Sequence, residues 1–115
     1  MNNYIVIFRE PDGRTDAHTH TPDEIARHRE NWAAWWEKWS GTENLSSGSA
    51  LTLKGCLITG DGSTISNQIH HVGTEIVGGF LMLRAESLEE ATQIAASCPI
   101  YEFGGYAEVR EFLKQ

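Results

Sequence analysis

The chain reads as an α+β domain: a four-stranded antiparallel sheet with two helices on one face. Three observations predict it. Apolar residues alternate over 3–9 and 75–84, as in strands covered on both faces. They recur at helical spacing over 21–39 and again after Ser87. The order along the chain is strand, helix, strand, strand, helix, strand, which folds into one sheet with both helices on the same side.

Asn3 to Arg9 is the first strand, with Tyr4, Val6 and Phe8 on one face and Ile5 and Ile7 on the other. Pro11-Asp12-Gly13 turns the chain, and Arg14 to His20 is a polar loop. Thr21 to Trp39 is the first helix. Thr21 is its N-cap, Pro22 suits the first helical position, Glu24 completes a capping box, and Ser40-Gly41 ends it. Ile25, His28, Trp32, Trp35 and Trp39 follow at spacings of three, four, three and four and share one side. Trp36 lies off that seam, toward a partner subunit or a pocket rim. Ala50 to Leu53 and Cys56 to Thr59 read as strand, with Asn44 to Gly48 a loop or the start of one. Gly60-Asp61-Gly62 is a turn, and Thr64 to Ile69 returns as a hairpin partner. Glu75 to Arg84 is the strongest strand. Alternation puts Val77, Leu81 and Leu83 on one face and Ile76, Phe80 and Met82 on the other, and Gly78-Gly79 bares the backbone for a close approach. Ser87 caps the second helix with Glu90 closing its capping box. Leu88, Ala91, Ile94, Ala95 and Cys98 form its buried stripe, and Pro99 stops it. Ile100 to Gly105 is a loop, and Tyr106 to Phe112 is the last strand. The arrangement is ferredoxin-like, a single domain over 1–115.

With nine Lys and Arg against sixteen Asp and Glu, the formal charge is −7. That argues against a nucleic-acid partner and an acidic membrane surface. No apolar run is long enough to span a bilayer, and the first residues do not form a signal peptide. Cys56 and Cys98 form no metal-type pair and read as reduced, packed thiols of a cytoplasmic protein. Two helices cover one face of such a sheet, yet the first and fourth strands are apolar on both, so a homodimer packed sheet against sheet is expected.

His28 is the leading chemical candidate: either a core histidine bonded to backbone, or the general base of an apolar pocket walled by Trp32 and Trp35. Glu24, one turn earlier, is placed to orient the ring. His18, His20, His70 and His71 form two short clusters, with Asp16 or Glu75 as possible carboxylate ligands, but their spacing matches no zinc signature. Gly78-Gly79 and Gly104-Gly105 lack phosphate-loop spacing, and no cofactor is expected. Cys98 reads as an inert packed thiol.

The runs TPDEIARHRENWAAWWEKW and EIVGGFLMLRAESLEEATQIAASCPIYEFGGYAEVREF, with Gly48-Ser49-Ala50-Leu51 and Lys54-Gly55 between them, resemble YCII-related proteins of the DGPF type. The resemblance covers most of the chain. It implies a ferredoxin-like fold paired into a dimeric α/β barrel. Some relatives are lyase-like or dehalogenating enzymes, for which a His–Asp pair is the proposed centre. His28 matches the helix histidine. The Asp-Gly-Pro-Phe tetrapeptide falls on Asn67-Gln68-Ile69-His70, and an amide there cannot act as a base; Asp61 is the nearest remaining acid. The expectation is a homodimer that binds a small organic molecule, with His28 as base of a lyase or isomerase step and Trp32, Glu24, His70, His71 and Glu75 as contacts. The alternatives are a non-catalytic ligand- or partner-binding module and a metal site on the loop histidines.

Overall fold

In the computed structural model, residues 1–12 and 20–114 are described. Strands β1 (Asn2–Pro11), β2 (Leu45–Ala50), β3 (Leu57–Thr59), β4 (Thr64–Ser66), β5 (Glu75–Ala85) and β6 (Tyr106–Glu111) accompany helices α1 (Pro22–Ser40) and α2 (Leu88–Ala96) and a 3-10 helix at Pro99–Phe103. The main sheet has the order β2-β5-β1-β6, all antiparallel, and β3-β4 is a separate hairpin. This is the ferredoxin-like arrangement the sequence predicts.

Tyr4, Val6 and Phe8 of β1 meet Leu81, Leu83 and Ala85 of β5 beneath the helices, joined by Trp35, Ala91, Ile94, Cys98 and Ile100. The opposite face carries Ile5, Ile7, Phe80 and Met82, each half-buried with no layer over it. An extent of 19 Å along the shortest axis fits one sheet and one helical layer. The box at the start of α1 forms as the sequence predicts: Glu24 N–H donates to Thr21 Oγ1 at 3.1 Å, and Thr21 N–H donates to Glu24 Oε1 at 3.2 Å.

Several expectations are corrected. The second sheet strand is Leu45–Ala50, upstream of the Ala50–Leu53 run. Its Ser46-Ser47-Gly48-Ser49 core shows no apolar alternation, because backbone pairing with β5 holds it. The hairpin partner is shorter than expected, Thr64–Ser66. On β5 the register slips, so that Phe8 faces Gly79 while Arg9 faces Val77, which leaves Gly78 as a bulge. That extra residue exchanges the faces upstream of it: Ile76 is 7% exposed and Val77 39%. Ile25 and Leu88, placed on buried stripes, are exposed at 36% and 50%. Each lies in the first turns of its helix, beyond the edge of the packed layer. Cys56 is exposed, outside any core. Ser87 caps α2, but the Glu90 carboxylate accepts from the Asn44 amide at 3.1 Å and so ties α2 to the approach to β2. The Ile100–Gly105 segment is mostly 3-10 helix, closed by Gly104 at φ 78.

Candidate functional site

A cleft of about 340 Å³ opens between α1 and the end of the sheet. Its aromatic walls are Phe8 from β1 and Trp32 and Trp36 from α1, with Leu81 of β5 and the Phe80 backbone at its floor. Trp36 reaches this position because β2 carries Gly48 beneath it. A Cβ there would come within 3.1 Å of the indole and 2.7 Å of the Phe80 carbonyl.

His28 lines the cleft with its side chain 18% exposed. Its Nε2 accepts the Trp32 Nε1–H at 3.1 Å. An indole nitrogen can only donate, so Nε2 holds a lone pair and the ring proton sits on Nδ1. That Nδ1–H donates to Glu102 Oε1 at 2.7 Å, and Asn31 Nδ2 donates to the other carboxylate oxygen at 2.8 Å. The 3-10 helix therefore supplies the acid that orients the imidazole. Its next residue, Phe103, stacks on His28 at 4.3 Å and on His20 at 3.8 Å.

Glu10 is the second acid at the cleft. Parity along β1 sends it inward after Tyr4, Val6 and Phe8, and the Gly78 bulge makes room for it: a Cβ on Gly78 would overlap the Glu10 carboxylate. Burial raises the Glu10 pKa above the ordinary carboxylate value, a rise that a positive charge on His28 would oppose. An imidazole with a lone pair on Nε2 and a carboxyl whose pKa burial raises thus stand at one apolar cleft, the pairing that acid–base chemistry uses.

Of the residues predicted for the site, the structure brings His28 and Trp32 together. Glu24 is spent on the helix cap, where the Thr21 bonds hold its carboxyl below the ordinary range. His71 instead meets Asp12, 1% exposed at the end of β1, with Nε2 2.7 Å from Oδ2 and Nδ1 3.1 Å from the Ile69 carbonyl. His70 and Glu75 line a different recess. Asp61 sits at the tip of the β3-β4 hairpin, held below its ordinary pKa by Ser63. Cys98 is buried, which pushes its thiol pKa up. His18 and Asp16 lie outside the described residues. Among the described residues no three His, Cys, Asp or Glu side chains converge as metal ligands. Sequence reasoning missed Glu10 and Glu102. The inward parity of β1 could have flagged Glu10, whereas Glu102 lies 74 positions from His28 and carries no local signal.

The model of the YCII-related domain matches residues 14–112. The chain belongs to the YCII-related family. Among solved structures, 5-chloro-2-hydroxyhydroquinone dehydrochlorinase (TftG) from Burkholderia phenoliruptrix AC1100, in complex with 2,5-dihydroxybenzoquinone, is similar with a TM-score of 0.53. The likeness covers 98% of this chain and 95% of that one at 16% identity, which speaks to the shared fold. Among curated proteins none matches the chain. In this YCII-related chain, no described helix is long and apolar enough to cross a membrane.

Proposed function

We propose that this YCII-related protein binds a small, planar organic molecule in the aromatic cleft and moves a proton on it without a cofactor, as a lyase or isomerase of the cytoplasm. The observation that carries the reading is the His28 ring at the cleft wall, with Nδ1 2.7 Å from Glu102 Oε1 and Nε2 3.1 Å from the Trp32 Nε1 donor. A substrate donor that displaces the Trp32 N–H would place its own proton on Nε2. Glu102 would then stabilise the imidazolium through Nδ1–H, and Glu10 would return a proton to another substrate atom. In an elimination, the electron pair freed by His28 expels the leaving group. The similar fold of a dehydrochlorinase, itself an elimination catalyst acting on a hydroxylated ring, supports this class.

One observation favours a second reading, a non-catalytic binding module: the Trp32 N–H already occupies Nε2. Two measurements decide between them. Titration with 2,5-dihydroxybenzoquinone, followed by tryptophan fluorescence, is expected to show saturable quenching. Chloride release from 5-chloro-2-hydroxyhydroquinone is expected in the wild type and should fall at least ~100-fold in His28→Asn. Quenching without turnover of that or related hydroxylated rings supports the module, and the absence of saturable quenching rejects both.

The open sheet face is the basis for a homodimer. Packing Ile5, Ile7, Phe80 and Met82 of two copies together would remove a contiguous apolar surface from water. Light scattering is expected to give twice the chain mass of 12.8 kDa, and a species at the chain mass would reject the pairing.

A further inference from the structure

The β3-β4 hairpin stands apart from the rest of the fold. Its strands pair only with each other, and among the described residues no other strand or helix approaches them. A lone two-stranded hairpin is marginally stable in water. Ile58 and Ile65 face each other across it on one side, exposed at 59% and 64%. The radius of gyration is 15.8 Å, against about 13 Å for a compact domain of this length, which fits an arm held off the body.

The arm is also almost without charge. From Leu51 to Thr74, its strands and both stems, the chain carries one Lys, Lys54, against one Asp, Asp61, so the formal −7 falls on the remaining residues. An exposed hairpin commonly carries charges that keep other chains away, whereas β3 and β4 have none. Two copies of an acidic chain repel each other least along a neutral segment.

The stems of the arm frame a recess of about 310 Å³ at the open face of the sheet, with Leu51, Val72 and Val77 exposed at 50%, 59% and 39%. No residue of β3 or β4 lines the recess of its own copy. An arm with an uncovered apolar side and an apolar recess on the face that meets the second copy thus occur in one chain, as a self-complementary twofold contact requires.

We propose that the hairpin is a clasp between two copies of this chain. The arm of one copy seats Ile58 and Ile65 on Leu51, Val72 and Val77 of the other, and the exchange is reciprocal. A six-residue stem, 51–56, spans up to about 20 Å, beyond the ~10 Å between packed sheets. The clasp rests on the sheet-to-sheet homodimer and adds a contact that pairing of the flat faces lacks.

The test is isotope-filtered NOE spectroscopy on mixed dimers of ¹³C-labelled and unlabelled chains, which detects methyl contacts between copies alone. Ile58 and Ile65 are expected to show them to Leu51, Val72 or Val77 of the other copy. In sedimentation equilibrium, Ile65→Asp is expected to raise the dimer dissociation constant at least about tenfold, while Ile65→Leu stays within about twofold of the wild type. A dimer whose contacts between copies come from Ile5, Ile7 and Met82, with none from Ile58 or Ile65, overturns the clasp and leaves the sheet pairing standing. So does Ile65→Asp dimerising as tightly as the wild type. A species at the chain mass overturns both.

Discussion

Replacing His28 in two ways separates the ring as a tether from the ring as a base. His28→Ala removes the bond to Glu102 at 2.7 Å, the bond from Trp32 at 3.1 Å and the stack on Phe103 at 4.3 Å. A hydrogen bond to a charged group contributes about 1.5–3 kcal/mol, and a neutral one about 0.5–1.5 kcal/mol. Glu102 is 39% exposed and keeps Asn31, so water and the amide recover part of the loss. The low ends apply, for a total of about 2 kcal/mol. Unfolding entropy near 2.1 cal/mol/K per residue makes that a fall in Tm of about 8 °C for a domain of this size. In His28→Asn the amide nitrogen takes the place of Nδ1 and still donates to Glu102. Its expected loss is under about 1 kcal/mol, or roughly 4 °C. Thermal melts by circular dichroism read both. Equal falls in Ala and Asn would refute the claim that the Glu102 bond holds the ring.

Other outcomes follow from the same geometry. Burial raises the Glu10 pKa, so the fold holds that proton more tightly than the unfolded chain does. The associated stability is complete below the ordinary carboxylate value of 4.5 and is lost as pH rises through the raised folded value. Glu10→Gln should therefore match the wild type in urea melts near pH 3 and exceed it near pH 7; the reverse order would contradict the burial. Gly78→Ala should fold, because the atoms in its way belong to the end of the flexible Glu10 side chain, and it should lessen the same pH dependence by pushing that carboxylate toward water. Trp35→Phe loses the indole bond to Ser97 Oγ at 2.9 Å and should cost about 1–2 kcal/mol in urea unfolding. A thiol reagent should label exposed Cys56 at once in the native protein and buried Cys98 only on unfolding.

What the sequence made legible is what side chains encode locally. The alternation in β1, the capped aromatic stripe of α1 and the Ser87 start of α2 each state their element within a few residues. β2 was legible only as a loop or the start of a strand over Asn44 to Gly48, because Ser46-Ser47-Gly48-Ser49 carries no apolar period and Leu45, 8% exposed, is its one residue in the core. The bulge at Gly78 escaped because a single extra residue changes facing without changing composition. At the site, His28 and Trp32 were visible as helix neighbours. Glu102 was not, because the tie between α1 and the 3-10 helix exists only once the chain has closed around the sheet.

The central claim is about one nitrogen. A long-range ¹H–¹⁵N spectrum, with the His28 signals assigned by their loss in His28→Asn, reports directly which ring nitrogen carries the proton. A protonated Nδ1 and a lone pair on Nε2 are expected at neutral pH, with Nε2 shifting when a ligand fills the cleft. A proton on Nε2, or an Nε2 signal that stays fixed while tryptophan fluorescence reports a filled cleft, would contradict it.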